Sequence, residues 1–400
     1  MKILHTSDWH LGHRLHEQSQ HEEQTLFLSW LIKCINEQEI DVLLISGDIF
    51  DTSAPSSQSL TLYYNFLVDL RNSHCQDVII TGGNHDAPGT LNAPKDLLKA
   101  LAINVLGKSE EDIKDEIIKI NCKGEKLMVA AVPYLRDQDI RKAIAGESFD
   151  QVGDRYKAAL IKHYNDVAEC CHREKEDNEL VIAMGHLFAI GGSTSDSEQT
   201  IYVGNAGDIG ADDFHPIFDY IALGHLHRSQ VVKNHIRYSG SPCILSFSEA
   251  NHQKQLICID AQNGSIDSIS TIDIPRFRDI KQLTGDLHHC IKQLNAIDKE
   301  NHNLLPWVEV VLDNEDNSGI GYSQINEAAE QLRLKVLKVS LKNDTRQADL
   351  LNESFDGENI KNISPMDVFK LRCDEQNFEI NDHPDIEDAF HEVLQIARDN

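Results

Sequence analysis

Seven side chains that can bind a metal ion occur in short clusters spread over more than half of the chain. Each is an aspartate, an asparagine or a histidine, and each cluster ends a short apolar run: Asp8, His10, Asp48, Asn84, His186, His225 and His227. Carboxylate, amide and imidazole groups suit divalent ions such as Mn²⁺, Fe²⁺ or Zn²⁺. Because the set contains no thiolate, it disfavours a structural zinc site.

Seven ligands are too many for one ion, whereas two ions that share Asp48 use all of them. Two metal ions roughly 4 Å apart can position water and neutralise a phosphate undergoing in-line attack. Asp8 and His10 are two residues apart, as are His225 and His227. In extended backbone such side chains point the same way, so we expect each pair to reach one ion together.

His85 follows Asn84 directly and would point elsewhere in an extended segment. It is therefore predicted to act as a general acid or a phosphate-binding imidazole, not as a ligand. Asp51 and Asp86 are predicted to orient histidines from behind the metal ligands. Glycine directly precedes the polar ending of four runs, where it permits a tight turn and a close approach of the backbone.

The same apolar runs indicate which strands and helices position these residues. KILHTSD, DVLLISGD, DVIITGGN, ELVIAMGH and YIALGH are short and largely apolar, as buried strands are. Helical stripes lie between them, in QHEEQTLFLSWLIKCINEQ, in SQSLTLYYNFLVDLRNS and from Val152 to Cys171. This alternation predicts a layered α/β fold, in which ligands collect beyond the carboxyl ends of the strands.

The pattern changes near Pro275. We expect a first domain over residues 1–275 and a small α+β module over 276–341, with strands WVEVVLD and LKVLKVSL around a helix at EAAEQLRL. A polar linker is predicted over 342–362, and a helical tail over 363–400. The tail either docks to another chain or folds back on its own domain.

The series D-x-H, G-D-x-x-D, G-N-H-D, G-H and G-H-x-H resembles that of the calcineurin-like metallophosphoesterases. Within that family, HTSDWHLG, SGDIFDTSAPS, GGNHD, DYIALGHLHR, YSGSP and the S-P-x-x-x-F tail resemble bacterial nuclease subunits related to the double-strand-break-repair nuclease. The resemblance extends over nearly the whole chain and is looser beyond Pro275. It implies a two-sheet sandwich flanked by helices, then a capping domain and the helical tail.

The resemblance also implies how the ligands divide. Asp8, His10, Asp48 and His227 would hold one Mn²⁺, and Asp48, Asn84, His186 and His225 the other, with Mg²⁺ as the alternative metal. His85 would protonate the leaving oxygen. Asp51 departs from the archaeal and eukaryotic pattern, which has histidine there. GDIFDTS also lacks the Arg-Gly that follows in protein Ser/Thr phosphatases, which weakens a phosphatase interpretation.

The implied activity is metal-dependent hydrolysis of DNA: 3′→5′ exonuclease on double-stranded ends and endonuclease on single strands and hairpins, in DNA repair, replication and recombination. The implied partner is a coiled-coil ATPase that docks the tail, within a heterotetramer built on a homodimer of this chain. The helices near Leu60–Leu70 and Asn92–Leu101 match the dimerisation region of the family. A net charge of −28 agrees with a chain that relies on its partner for basic DNA-binding surface.

The remaining sequence features indicate where in the cell the protein is found. Nine cysteines without C-x-x-C pairs, no run of eighteen apolar residues and no secretory signal predict a cytoplasmic protein without a membrane span. AINVLGKS, Ala102 to Ser109, resembles a relaxed P-loop, but a strand-like segment precedes its glycine and acidic residues follow. It is predicted to be a strand and turn, so ATP would bind to the partner.

Two other functions stay open from the residues alone. A small-molecule phosphodiesterase or phosphatase of the same fold would need neither the capping module nor the tail. A non-catalytic docking protein would leave the metal ligands unused.

Overall fold

The computed structural model of the chain describes residues 1–136, 139, 149–189, 209–300, 302–313 and 319–342. The chain divides into two compact units, one with residues 1–312 and 318–340, the other with residues 313–317 and 341–400. The predicted tail over 363–400, and the predicted linker from residue 343 onward, lie outside the described residues. The site and its supporting contacts belong to the first unit.

The first sheet contains the strands that precede three of the predicted clusters. Within the described residues it has six strands, in the order β14 (Ser265–Asp273), β13 (Gln255–Gln262), β1 (Lys2–Thr6), β4 (Val42–Ser46), β5 (Asp77–Thr81) and β6 (Ile103–Leu106). The last four run parallel, whereas β13 pairs antiparallel with β1 and β14. Residues 107 and 108 form a bend after β6, so the strand and turn predicted for AINVLGKS are confirmed.

The second sheet contains the other two predicted strand endings. Its described strands follow the order β11 (Gln230–Lys233), β12 (Ile236–Tyr238), β10 (Tyr220–Gly224), β9 (Glu179–His186), β8 (Glu125–Ala131) and β7 (Ile117–Cys122). The four central strands β12, β10, β9 and β8 are parallel. A separate short hairpin pairs β2 (Arg14–Leu15) with β3 (Gln18–Ser19).

The two sheets pack face to face, and helices cover their outer faces. The flanking helices are α1 (His21–Glu37), α2 (Ser57–Leu70), α3 (Pro88–Asn92), α4 (Lys95–Lys99) and α5 (Phe149–Glu174). Alternate residues of β4 serve two cores: Val42 and Leu44 pack between the sheets, whereas Leu43 and Ile45 pack in the cluster that includes Phe27 of α1. The predicted α/β sandwich flanked by helices is confirmed.

A small α+β module follows the sandwich. It consists of β15 (Ile280–Gly285), α6 (Leu287–Asp298), β16 (Trp307–Leu312), α7 (Gly319–Glu330) and β17 (Lys335–Leu341), with its described strands in the order β15-β16-β17. Both predicted strands are present. The helix predicted at EAAEQLRL lies earlier, since α7 ends at Glu330. The chain turns there because Leu332 and Leu334 pack into the core of the module instead of continuing the helix.

Arg278 joins the module to the sandwich. Its guanidinium lies 2.5 Å from Glu23 and 2.7 Å from Glu22 of α1, and its Nη1 donates to the carbonyl of Leu305 at 2.7 Å. It also lies over the Trp307 ring, 4.2 Å from the centroid. Arg278 and Glu23 are almost fully buried, so this junction is a desolvated ion pair. Among the described helices, none is long and apolar enough to cross a membrane.

Candidate metal centre

Loops at the carboxyl ends of five strands bring the predicted ligands to one edge of the sandwich. The loops after β1, β4 and β5 carry Asp8, His10, Asp48 and Asn84; the end of β9 and the loop after β10 carry His186, His225 and His227. All except Asn84 are at most 5% exposed. The strand endings therefore converge as the sequence predicts, and their role as metal ligands is the hypothesis that this geometry supports.

Asp48 lies between two groups of these side chains. Its Oδ2 is 3.5 Å from Nε2 of His10 and 3.2 Å from Nε2 of His186. Asp8, His10 and His227 form one group that could hold a metal ion, and Asp8, Asp48 and His186 form another; in each, the ligand atoms lie within 4.8 Å of one another. A carboxylate in this position can be shared by two ions.

Asn84 links the two histidines from the second sheet. Its Oδ1 is 2.9 Å from Nε2 of His186 and 3.2 Å from Nδ1 of His225. Nδ1 of His186 lies 2.9 Å from the carbonyl of Ser46, which can only accept, so this nitrogen carries the proton. Nε2 of His186 then faces oxygens of both Asp48 and Asn84, an environment that favours a proton or a metal cation between them.

The buried ionisable groups do not share one preference: burial lowers the pKa of His10 and lowers that of His225 to about 3, whereas the pKa of His186 is raised. Burial alone would lower the pKa of His186, but the charges of Asp48 and Asp8 raise it to about 9. Burial raises the pKa of Asp8 to about 6; His186 counteracts this rise and Asp48 adds to it. Burial would also raise the pKa of Asp48, yet the neighbouring histidines hold it well below its ordinary value.

The fit of a cation is supported by His10. Its Nε2 is fully buried and has no hydrogen-bond partner among the described residues. Leaving a buried polar atom unpaired costs about 1–3 kcal/mol, so such an atom calls for an explanation. A metal ion between His10, Asp48 and the remaining ligands supplies one, and the donor set of carboxylates, imidazoles and an amide suits such an ion.

The prediction that extended backbone brings Asp8 and His10 together is wrong. Their backbones are not extended: φ is 54° at Asp8 and 45° at His10, and Asp48 and His225 are also left-handed, at 50° and 99°. Non-glycine residues adopt this conformation only where surrounding contacts hold it. Here the backbone N–H of His10 donates to the carbonyl of Asp48 at 3.0 Å, so the two loops hold each other in place.

His85 lies beside the cluster on a fixed backbone. Its N–H donates to Oδ1 of Asp48 at 2.9 Å, and its Nδ1 donates to the carbonyl of Asp51 at 2.7 Å. His10, Asp48 and His85 also form a group compact enough to hold an ion. The structure thus places His85 closer to the ligands than the expected divergence from Asn84 implied.

The carboxylates of Asp51 and Asp86 have different hydrogen-bond partners. The Asp51 carboxylate lies 2.8 Å from Nδ1 of His13 and 3.4 Å from Nδ1 of His10, in keeping with the predicted orientation of histidines. Asp86 accepts instead from three backbone amides, those of Ile49, Phe50 and Gly83, at 2.9–3.1 Å. Within the described part of the chain, the prediction that Asp86 orients a histidine is wrong; it fixes the loops that carry the ligands.

Glycines let these loops approach one another. A Cβ at Gly83 would lie 2.1 Å from Oδ1 of Asp48, and one at Gly47, whose φ is 83°, would lie 2.3 Å from Nδ1 of His186. Both distances are too short for a Cβ atom, so no residue other than glycine fits at either position without a shift of its neighbours. The glycine of G-D-x-x-D and the second glycine of GGNHD are therefore required by close packing around Asp48 and His186.

Two supporting contacts were missed in the sequence. His13 bridges Asp51 and the carbonyl of Leu245, with its Nε2 at 3.0 Å from that oxygen. The carbonyl of Ser46 fixes the ring of His186. The spacing of His13 from His10 was the only signal that sequence offered, because its partner Leu245 is far away along the chain and a carbonyl carries no side-chain signature.

The chain is similar to known proteins over most of its length. Residues 1–229 match the family model of calcineurin-like phosphoesterases, and residues 276–377 match that of the type 5 capsule protein repressor C-terminal domain. The SbcD subunit of the nuclease SbcCD from Escherichia coli (strain K12) is 31% identical over 375 residues, 93% of this chain and 92% of that protein. Its counterpart from Bacillus subtilis (strain 168) is 34% identical over 270 residues, 66% of this chain and 67% of that protein.

Proposed function

Because the chain belongs to the calcineurin-like metallophosphoesterases and, within them, to the SbcD family of nuclease subunits, we propose that it is the metal-dependent nuclease subunit of an SbcCD-type complex. The observation that carries the proposal is the buried convergence of aspartates and histidines around Asp48, in a chain similar to these subunits over nearly its whole length. A small-molecule phosphodiesterase or phosphatase is not favoured by the names of these relatives.

We assign the ligands to two divalent ions, which we take to be Mn²⁺. Asp8, His10, Asp48 and His227 hold one, and Asp48, Asn84, His186 and His225 hold the other. His225 and His227 are thus divided between the two ions, not together at one as their spacing suggested. The short distances from Asp48 Oδ2 to His10 and to His186 support this sharing. When bound, the ions supply positive charge to the scissile phosphate and lower the pKa of a water molecule.

The protein itself supplies the proton. With its Nδ1–H donated to the carbonyl of Asp51, the doubly protonated ring of His85 gives its Nε2 proton to the leaving oxygen of the substrate and is left neutral. Asp51 and His13 keep the neighbouring ring of His10 oriented from behind. The site is thus suited to hydrolysis of a phosphodiester, and DNA as its substrate is proposed from the names of the relatives.

The proposed activities are 3′→5′ exonuclease on duplex ends and endonuclease on single strands and hairpins, in the cytoplasm. The proposed partner is an SbcC-type coiled-coil ATPase, which binds ATP and docks the segment 363–400. A homodimer of this chain within a heterotetramer is part of the proposal, and two exposed apolar side chains lie on helices of the expected dimer region: Val68 is 63% exposed and Leu97 is 69% exposed. The capping domain is assigned to residues 276–341.

The test is cleavage of blunt duplex and hairpin DNA by the full chain, alone and with its ATPase partner, in Mn²⁺ and in EDTA. We expect Mn²⁺-dependent cleavage by the complex and loss of cleavage in the Asp48→Asn variant. Absence of cleavage of both DNAs, with and without the partner, would overturn the proposal.

A further inference from the structure

A buried carboxylate–lysine pair lies directly behind His227. Glu249 ends the short 3₁₀ helix Phe247–Glu249 and is fully buried, and Lys254 immediately precedes β13 and is 6% exposed. Lys254 Nζ lies 2.6 Å from Oε2 of Glu249. Neither residue belongs to the predicted ligand set.

This pair contacts both the side chain and the backbone of His227. Oε1 of Glu249 is 3.6 Å from Nδ1 of His227. Lys254 Nζ donates to the carbonyl of His227 at 3.0 Å and to Oγ of Ser241 at 2.8 Å. Glu249 Oε2 also accepts from the backbone N–H of Leu245 at 3.2 Å. Lys254 thus hydrogen-bonds to the backbone of His227, and the Glu249 carboxylate faces the His227 ring at ion-pair distance.

Packing alone does not explain such a pair. Removing two charges from water costs several kcal/mol per ion, and apolar residues of similar volume often stabilise a core as well or better. A metal-binding histidine, in contrast, is oriented by an acceptor at its other ring nitrogen. Since Nδ1 of His227 faces Glu249, Nε2 is the nitrogen left for the group formed with Asp8 and His10.

We propose that Glu249, held in place by Lys254, is a positioning residue that fixes the ring of His227 for one of the two metal ions. The inference rests on the proposed two-metal function. It predicts an effect on the affinity of one metal site, because Glu249 contacts one ligand of one proposed ion.

The experiment is titration of the full, metal-free chain with Mn²⁺ alone, followed by calorimetry, in the parent and in Glu249→Gln. We expect affinity at one site to fall about 10- to 100-fold with the other site unchanged, and excess Mn²⁺ to restore most of the cleavage rate. The matched control is Glu116→Gln: Glu116 is equally buried and lies 2.8 Å from a histidine, His163, outside the cluster. It should bind Mn²⁺ like the parent.

The inference is overturned if Glu249→Gln binds both ions with parent affinity, or if Glu116→Gln loses affinity to the same extent. Should circular dichroism show Glu249→Gln to be unfolded, the double variant Glu249→Gln/Lys254→Met removes the unpaired lysine and is titrated in the same way; parent affinity there also overturns it. A parent protein that binds no Mn²⁺ overturns the proposed function itself, and this inference with it.

Discussion

At the scale of single residues, His85 differs from the other histidines of the cluster. It is only partly buried, and both its backbone N–H and its Nδ1 are already used, by Asp48 and by the carbonyl of Asp51. Nε2, the other ring nitrogen, is therefore the one that we expect to contact a substrate. These contacts suit a group that donates a proton from a fixed position.

Replacing His85 with alanine should separate catalysis from metal binding. We expect His85→Ala to bind two Mn²⁺ ions with parent affinity while cleavage falls about 10²- to 10⁴-fold, since loss of a positioned general acid has this effect. Single-turnover cleavage and Mn²⁺ titration measure the two properties. His235→Ala, which removes a partly exposed histidine from the turn between β11 and β12, is the control. Unchanged cleavage in His85→Ala, or loss of a metal ion, contradicts the proposed role.

The residue types of the site could be predicted because each proposed ligand follows an apolar run in sequence. Contacts between segments that are distant in sequence could not be predicted. Asp86 binds backbone amides and Glu249 lies behind His227, and neither relation leaves a local pattern. The left-handed backbone of Asp8 and His10 was also unpredictable, because it depends on hydrogen bonds to the loop after β4.

At the scale of the elements, the loops that carry the proposed ligands depend on glycines at positions where a Cβ would collide with side-chain atoms of those ligands. The loops after β4 and β5 pass each other so closely that Gly83 touches Asp48. A helix or strand would tolerate a methyl group at many positions, whereas these turns have no free space. Close packing therefore fixes the conformation of these loops.

Gly83→Ala should disrupt the site while leaving most of the fold intact. The added Cβ would lie 2.1 Å from Oδ1 of Asp48, so the carboxylate must move and Mn²⁺ affinity should fall at least about 10-fold. Gly89→Ala is the matched control, because a Cβ there meets no atom within 4 Å. Metal titration and thermal unfolding of both variants check this. Equal Mn²⁺ affinity in the two variants would show that the loops can adjust.

Parallel strands were easier to predict than the rest of the fold. β4 is buried on both faces and reads as a continuous apolar run. The hairpin of β13 and β14 was not predicted: β14 is largely exposed at the sheet edge, with the polar sequence SIDSISTID. The end of α7 was misplaced because its sequence favours a helix through residues that tertiary packing uses as a turn.

At the scale of the whole molecule, the junction at Arg278 should govern the stability of the first unit. Arg278→Ala leaves Glu23 buried without its partner, which is expected to lower the free energy of unfolding by about 3–5 kcal/mol. Urea denaturation measures the change. Lys33→Ala breaks the exposed Lys33–Glu37 pair and should have no resolvable effect. Similar midpoints for both variants would show that the junction contributes little.

Metal removal should also lower global stability. Each ion that binds only the folded chain adds about 2.7 kcal/mol at a concentration 100 times its dissociation constant. We therefore expect a higher unfolding temperature in Mn²⁺ than in EDTA, measured by scanning calorimetry. The difference should shrink in Asp48→Asn, which removes the shared carboxylate. An identical shift in that variant would place the stabilising ions elsewhere.

The position of β1 determines when during synthesis the nuclease centre can form. The loop after β1 carries the first two proposed ligands, yet β1 lies between β4 and β13, and its antiparallel partner β13 is more than 250 residues away in sequence. His225 and His227 are likewise translated long after Asp8. Pairing over such separations is slow and waits for the distant segment to leave the ribosome. A nascent chain therefore cannot assemble the complete proposed metal centre until more than half of it has been made.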